Sequence, residues 1–190
     1  MLKTSSTNNN LPVLETERLI LRKLKMEDAK DMFEYASVAS VSRFMPWEVH
    51  KSVEETKGFL SFILQSYEQK KKLTWAIELK SEGKMIGTID FVNWMPKRFK
   101  AELAYVLSHH YWGNGFTAEA GKALLAYGFG DMELNKVEAP IMLDNVQSRR
   151  VLEKLGMKFE GIARQHMIIK GEFVDLAFYS LLKSEYLIGK

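Results

Sequence analysis

The segment from residue 101 to residue 143 constrains the fold most, because it predicts two strands on either side of one helix. AELAYVLS at 101–108 and NKVEAPIML at 135–143 read as strands, and TAEAGKALLAYGFGDM lies between them. The helix would place Ala120 and Leu124 on one apolar face. A strand, a crossover helix and a second strand normally form a parallel pair with a right-handed connection. We therefore predict a parallel pair at 101–108 and 136–143.

The other strands are predicted to pair antiparallel, because short turns join most of them. LTWAIEL and MIGTIDFVNW are separated by KSEGK, and the last long segment turns at Lys170-Gly171. ETERLILRKL at 15–24 alternates as a first strand. MEDAKDMFEYAS and the segment after the capping box Ser52–Glu55 read as helices. The predicted fold is a mixed α/β (α+β) sheet, mostly antiparallel, flanked by about four helices.

Length and composition favour one domain at 13–190 after a flexible Ser/Thr/Asn-rich tail at 1–12. The chain has no cysteine and a net charge of +3, and its densest basic run is KKK at 70–72. Nucleic-acid binders carry a stronger and more focused positive charge, so we expect no nucleic-acid partner. Neither a membrane span nor a signal peptide is evident, which predicts a cytoplasmic location with no membrane partner.

A glycine pair stands between the strand at 101–108 and the following helix, in YWGNGFTAEA at 111–120. The first amides of a helix have no internal acceptor, and Gly113 and Gly115 would let the backbone close around an anion. A Walker loop needs Lys followed by Ser or Thr after the last glycine, whereas Phe116 stands here. The dinucleotide fingerprint needs a third glycine, which is absent. The loop is predicted to bind a phosphate of another ligand, although a simple turn is an alternative.

The stretch from about Glu15 to Leu182 resembles the GNAT N-acetyltransferase superfamily, in particular its RimJ/RimL-like branch of ribosomal-protein-alanine N-acetyltransferases. The order and spacing of the motifs carry the resemblance: ETERLILR, SRFMPW, IGTIDF, AELAYVL, YWGNGFTAEA, DNVQSRRVLEKLGM and GEFVDLAFYSLL. The resemblance implies a GNAT-like fold and acetyl-CoA as cosubstrate. We expect no metal, because no cysteine or acidic pair near the histidines completes a metal site.

In the family the loop pattern Gln/Arg-x-x-Gly-x-Gly/Ala holds the pyrophosphate of acetyl-CoA. Gly115 takes the central glycine here, whereas Trp112 and Thr117 depart from the pattern, and the Thr117 hydroxyl could still donate to a phosphate. The resemblance also implies an oxyanion-binding amide near residues 105–107, where the parallel strands would separate. The resulting cofactor-binding set is Tyr105, Val106, Leu107, Trp112, Gly113, Asn114, Gly115, Phe116, Thr117, Asn145 and Ser148.

Glu102 is the candidate general base. Strand alternation places it on one face with Ala104 and Val106, small apolar neighbours that would partly desolvate the carboxylate. A solvent-facing glutamate fits the residues equally well, and the resemblance tips the choice, because family members carry a glutamate there. Asp90 on the neighbouring strand is the fallback base or an anchor for the amine.

Ser148 is the candidate group that meets the departing thiolate. Many GNAT enzymes place a tyrosine seven residues after an asparagine, but Leu152 holds that position after Asn145. The RimJ/RimL-like branch has Asn-x-x-Ser instead, and helical spacing turns Ser148 inward with Leu152 and Leu155. Asn145 could equally be a simple helix cap, with Ser148 in the first turn for that reason.

The leading interpretation is acetyl transfer to a primary amine by direct attack, with a protein N-terminal α-amine as the expected acceptor. A small amine (a polyamine, an amino acid or an antibiotic) and a non-catalytic acyl-CoA-binding regulator are the alternatives. Monomer and homodimer both remain open. We expect the side chains of His109 and His110 to diverge and to bind no metal. The candidate acceptor-binding residues are Trp47, Asp90, Asp175 and Tyr179.

Overall fold

Eight strands form one sheet in this computed structural model, which describes residues 11–68 and 73–188. Their order across the sheet is β1-β2-β3-β4-β5-β6-β8-β7. The basic run at 70–72 and most of the predicted tail lie outside the described residues. The strands are β1 (Leu14–Glu15), β2 (Leu19–Arg22), β3 (Leu73–Leu79), β4 (Lys84–Met95), β5 (Lys100–Leu107), β6 (Lys136–Met142), β7 (Lys158–Ile169) and β8 (Glu172–Leu182).

The pairing of the strands confirms the predicted mixed sheet. β5 and β6 are parallel, and every other neighbouring pair is antiparallel. The parallel pairing covers only residues 100–102 of β5 against 136–138 of β6. Beyond residue 102 the two strands separate, whereas β5 stays paired with β4 as far as Leu107. A gap therefore opens in the middle of the sheet, on the side of β5 that faces β6.

Helices cover both faces of the sheet. One core cluster joins Tyr35 and Leu60 to Ala76 of β3, and the other joins Leu124 and Leu152 to strand residues on the opposite face. Within residues 11–68 and 73–188, four helices have eight residues or more, as expected. No helix among the described residues is both long and apolar enough to cross a membrane. The helices are α1 (Ala29–Ala36), α2 (Ala39–Ser42), α3 (Val53–Glu68), α4 (Phe116–Phe129), α5 (Val146–Lys154) and α6 (Lys183–Ile188).

The first predicted strand is wrong in one detail, because a turn divides residues 15–24. The Thr16 amide donates to the Leu19 carbonyl over 3.0 Å, and the Leu19 amide donates to Thr16 Oγ1 over 2.9 Å. Threonine competes with sheet pairing through such local hydrogen bonds, which alternation alone does not reveal. Just before β1, the Pro12 carbonyl accepts a hydrogen bond from Trp75 Nε1 over 2.8 Å.

The predicted helix start and hairpin turn are both present. The Glu55 amide donates to Ser52 Oγ over 3.2 Å, while the Glu55 carboxylate accepts from the Lys51 amide instead of the Ser52 amide. Lys170 and Gly171 have φ values of 51° and 83°, as a tight turn between β7 and β8 requires. The β7–β8 hairpin carries the end of the described chain back beside β6.

Candidate active site

The glycine loop at 112–117, called here the phosphate loop, leaves backbone amides free at the start of α4. Gly113 and Gly115 have φ values of 82° and 80°, a left-handed conformation that other residues adopt only with strain. α4 starts at Phe116, and no side chain caps it. The first amides of such a helix have no intrahelical acceptor, and the helix dipole makes them a site for an anion. The loop therefore has a backbone geometry suited to an anion, and its binding of a phosphate stays a prediction.

Internal hydrogen bonds hold the phosphate loop in place. Trp112 Nε1 donates to the Leu107 carbonyl over 2.8 Å, at the end of β5. The Asn114 side-chain amide donates to the carbonyls of Tyr111 and Trp112, both over 3.2 Å. The departure at Trp112 therefore has a structural explanation. Its side chain fastens the loop to β5, and the backbone is left to meet the ligand.

An ion pair neutralises the one acidic side chain in the first turn of α4. Arg18 contacts both oxygens of Glu119 and lies over the Phe116 ring at 4.4 Å. Thr16 Oγ1 donates to the same carboxylate over 2.6 Å. Burial alone would raise the pKa of Glu119, but the hydrogen bonds from Thr16 and Arg18 outweigh it and lower that pKa. The Arg18 guanidinium also donates to the Asn114 carbonyl, so the β1–β2 turn holds the loop.

One cavity of about 670 Å³ lies against the phosphate loop, and we call it the loop cavity. It extends from the loop to the gap between β5 and β6 and to α5. Asn114 is the one residue of the predicted cofactor-binding set that does not line it, because its side chain is used inside the loop. The predicted residues that line the cavity are Tyr105, Val106, Leu107, Trp112, Gly113, Gly115, Phe116, Thr117, Asn145 and Ser148.

A second cavity of about 600 Å³, the sheet cavity, lies between β4, β5 and the β7–β8 hairpin. The predicted residues Trp47, Asp90 and Glu102 line it, and most of its other walls are apolar. Asp175 and Tyr179 do not. The Asp175 carboxylate accepts a hydrogen bond from the Gln165 amide over 2.8 Å, and Tyr179 is buried against Phe159.

The two cavities meet where β5 separates from β6. Ser148 and Tyr105 lie at this junction, between the phosphate loop on one side and Glu102 on the other. A ligand that extends from the loop through the gap would present its far end to the sheet cavity. The residues that line both cavities are Phe44, Met45, Tyr105, Val106, Asn145 and Ser148.

Ser148 faces inward, as the helical spacing predicts, and it is 8% exposed. Its amide donates to Asn145 Oδ1 over 3.1 Å, so Asn145 does cap α5. Its hydroxyl is 2.6 Å from the Tyr105 hydroxyl. Burial raises the pKa of Tyr105 despite this hydrogen bond, so the phenol stays protonated at neutral pH.

Glu102 and Asp90 lie on the same face of the sheet, on neighbouring strands. Asp90 is opposite Ala104 in the β4–β5 register, two residues along the strand from Glu102. Asn93 Nδ2 donates to Glu102 Oε2 over 2.9 Å, which orients the carboxylate. Glu102 is half-buried, so it can reach both a ligand in the cavity and water.

The sequence does not predict the contacts of two polar side chains in the site. The prediction for Tyr105 concerned only its backbone amide, yet its side-chain hydroxyl contacts Ser148. His50 lines the sheet cavity, and its Nδ1 is 2.8 Å from Thr56 Oγ1. Burial lowers the pKa of His50, so the ring is neutral at neutral pH. The six-residue spacing from His50 to Thr56 crosses a helix start and carries no recognisable pattern.

The expectation that His109 and His110 diverge is wrong, since their ring centroids are 3.9 Å apart. Both lie in one turn of 3₁₀ helix, between the end of β5 and the phosphate loop. No group of three or more His, Cys, Asp or Glu side chains within residues 11–68 and 73–188 could hold a metal ion.

Comparison with known proteins now decides the family. The sequence model described as "Acetyltransferase (GNAT) domain" matches residues 18–158, which is more than half of the chain. The chain belongs to the GNAT acetyltransferase family. As in that family, it is an acetyl-CoA-dependent N-acetyltransferase.

Three relatives of this GNAT protein match it over nearly their full length. The N-acetyltransferase YoaA of Bacillus subtilis, itself uncharacterized, is 34% identical over 172 residues, which cover 90% of this chain and 97% of YoaA. A GNAT-family acetyltransferase structure from Bacillus anthracis has 29% identity and a TM-score of 0.81, and the match covers 92% of this chain and all of that one. The [Ribosomal protein uS5]-alanine N-acetyltransferase of Escherichia coli is 26% identical, with 93% of this chain and 94% of that protein covered.

The geometry of the phosphate loop in this GNAT chain is compatible with a bound pyrophosphate. A Cβ built on Gly113 would meet no atom within 4 Å, so the space beside the loop is open. A Cβ on Gly115 would come within 3.8 Å of the Arg18 guanidinium. Uncapped amides and a neutralised Glu119 complete a site suited to an anion.

Proposed function

We propose that this GNAT enzyme transfers the acetyl group of acetyl-CoA directly to the α-amine of a protein N-terminus. The observation that carries the proposal is the junction of the two cavities. Ser148 lies where the loop cavity ends, and Glu102 lies in the sheet cavity that continues from it. A thioester at the junction would face an amine held on the Glu102 side.

Glu102 is the proposed general base. The amine nitrogen forms a bond to the acetyl carbon, the carbon–sulfur bond breaks, and the sulfur leaves with the electron pair. Glu102 takes the proton that the nitrogen must lose, and the hydrogen bond from Asn93 keeps its carboxylate turned to the cavity. Asp90 remains the alternative base or the anchor of the incoming ammonium group, because it lines the same cavity.

Ser148 is the proposed partner of the departing thiolate. A serine hydroxyl is too weak an acid to be a good proton source, so its role is to donate a hydrogen bond to the sulfur. The Tyr105 phenol, protonated and buried, can donate to Ser148 Oγ and leave the serine proton free to point at the sulfur. Tyr105 is thus a positioning residue in the step in which the thiolate leaves.

Three arguments favour an α-amine over a polyamine as acceptor. An α-amine titrates at about 7.7–8.0, so a carboxylate base removes its proton more readily than that of an aliphatic amine near 10.4. Three of the helix carboxylates that a polyamine could use are engaged elsewhere: Asp28 with Arg22, Asp31 with the Met85 amide and Glu34 with Lys84. The E. coli relative is a ribosomal-protein-alanine N-acetyltransferase, which supports the same class of acceptor.

Mass spectrometry of an acceptor panel tests this function. Protein and acetyl-CoA are incubated with peptides that start in alanine, serine or methionine, with the same peptides blocked at the α-amine, and with amino acids, spermidine and aminoglycosides. We expect a gain of one acetyl group on free α-amines and none on the blocked peptides. Product only on small amines would reject the N-terminal acceptor. Coenzyme A binding without any product would favour the non-catalytic regulator.

A cytoplasmic location and the choice between monomer and homodimer stay predictions.

A further inference from the structure

Two basic side chains on α5 line the loop cavity without an acidic partner. Arg150 and Lys154 are four residues apart, so they lie on the same side of the helix. Both are exposed. Neither makes an ion pair or a side-chain hydrogen bond within the described part of the chain.

The charged side chains that line the loop cavity leave a net positive charge, which lies on the α5 side. Arg43 also lines the cavity, but its guanidinium is 2.9 Å from the Asp144 carboxylate, the one acidic side chain among the described residues of the lining. These two charges cancel. The net positive charge of the cavity wall is therefore supplied by Arg150 and Lys154.

Acetyl-CoA carries three phosphate groups, and the phosphate loop accounts only for the two of the pyrophosphate. The loop presents backbone amides to the pyrophosphate, and these amides add no formal charge. The third phosphate is a monoester on the ribose 3′ oxygen, and a phosphomonoester carries about −1.5 to −2 charge at pH 7. Such a group is matched by an arginine, whose planar fork can donate two parallel hydrogen bonds to it.

We propose that Arg150 binds the 3′-phosphomonoester of acetyl-CoA, and that Lys154 adds charge to the same subsite. The proposal rests on acetyl-CoA binding in the loop cavity. It gives the enzyme a means of selecting the 3′-phosphorylated cosubstrate over its dephosphorylated form.

Arg149 provides a matched control within the same helix. It is adjacent to Arg150 in sequence, but it does not line the cavity, and its Nε is 3.9 Å from the Glu153 carboxylate. Replacing Arg149 or Arg150 with alanine removes the same charge from the protein. Only Arg150→Ala removes it from the cavity wall.

Calorimetric titration with coenzyme A and with 3′-dephospho-coenzyme A tests the subsite without requiring turnover. We expect the unmodified protein to bind coenzyme A more tightly than the dephosphorylated form. Arg150→Ala should weaken coenzyme A binding roughly three- to tenfold, the range of an exposed charge-assisted contact. It should leave binding of the dephosphorylated form unchanged. Arg149→Ala should keep the discrimination, and Arg150→Lys should keep part of it.

Three results would overturn the inference. Equal affinity of the unmodified protein for both ligands would mean that no 3′-phosphate subsite exists. The assignment of the loop cavity as the acetyl-CoA site would not be affected. Equal weakening of both ligands by Arg150→Ala would place Arg150 on the pyrophosphate instead. Failure to bind either ligand would show that the underlying acetyl-CoA site is wrong, which is a different failure from the loss of discrimination alone.

Discussion

Glu102 is the residue on which the proposed chemistry depends most. Glu102→Gln keeps the size of the side chain and can still accept the hydrogen bond from Asn93, but it cannot take a proton. We expect kcat to fall on the order of 100-fold, because a positioned base contributes roughly that much or more. The dissociation constant of acetyl-CoA, measured by calorimetry, should not change, because Glu102 does not line the loop cavity.

Asp90→Asn is the comparison that separates the two candidate bases. If Asp90 only anchors the incoming amine, its loss should raise the KM of the acceptor more than it lowers kcat. If the Glu102→Gln protein is fully active and the Asp90→Asn protein is inactive, Asp90 is the general base.

Tyr105 and Ser148 are expected to act as one unit. Tyr105→Phe removes only the hydroxyl that lies 2.6 Å from Ser148 Oγ. We expect kcat to fall roughly three- to tenfold, the value of one hydrogen bond. Because Ser148→Ala removes the group that Tyr105 positions, the double variant should be no slower than Ser148→Ala alone, as measured by a double-mutant cycle of kcat values.

Tyr67→Phe is the control for the loss of a buried phenol. Tyr67 itself lines neither cavity, and its hydroxyl donates over 2.6 Å to the carbonyl of Thr74, a residue at the wall of the sheet cavity. Its loss should lower the free energy of unfolding without changing kcat. Additive effects of Tyr105→Phe and Ser148→Ala would contradict the proposed positioning role.

At the scale of secondary-structure elements, α4 is packed so closely on the sheet that glycine is required at one position. A Cβ on Gly128 would be 2.7 Å from Phe91 Cζ and 3.1 Å from Leu134 Cδ1, and both neighbours are buried. Gly128→Ala gains about 1 kcal/mol of helix propensity, but crowding of the core costs about 1–3 kcal/mol. We expect the free energy of unfolding in urea to fall.

Gly58 in α3 is the matched position with the opposite expectation. A Cβ there would meet nothing within 4 Å, and the residue is exposed. Gly58→Ala should therefore raise the free energy of unfolding by about 0.5–1 kcal/mol. Stabilisation by both substitutions would show that α4 can move away from the sheet.

The elements themselves could be predicted well from the sequence, because each depends on a local pattern. The alternation of apolar and polar residues predicts the strands, and the glycine at residue 156, which has a φ of 79°, indicates the end of α5. The position of β8 between β6 and β7 could not be predicted, because alternation shows which face a residue takes and not which strand is its neighbour.

The same distinction applies to the site. Ser148 was predicted to face inward because three- and four-residue spacing is a property of α5 alone. Its contact with Tyr105 depends on how β5 and α5 are placed together, which no local pattern contains. The environment of Asp175 depends on an irregularity in β7, where Gln165 has a φ of 48° and turns its amide toward the carboxylate.

At the scale of the whole molecule, an ion-pair cluster ties the centre of the sheet together and makes stability depend on pH. Glu138 is 9% exposed and lies 2.7 Å from Lys100 Nζ and 3.1 Å from Lys136 Nζ. Burial alone would raise the pKa of Glu138, but the hydrogen bonds from the two lysines outweigh it and lower that pKa. A carboxylate with a lowered pKa contributes stability above its unfolded value, near 4.3, and loses it as the pH falls further.

Glu138→Gln should therefore be less stable than the unmodified protein at pH 6, and the difference should shrink as the pH is lowered toward 3. Urea unfolding at a series of pH values measures both free energies. A difference that stays constant over this range would mean that the charge of Glu138 does not contribute.

The insertion of β8 between β6 and β7 has a consequence for the order in which the molecule folds. β7 pairs only with β8 among the described strands, so the hairpin is a local unit that must dock on β6 as a whole. Long-range docking is slower than local pairing. Met167 and Ile169 of β7 and Leu176 of β8 line the sheet cavity, whereas the phosphate loop lies on the other side of β6. A refolding chain should thus regain the ability to bind coenzyme A before it can enclose an amine.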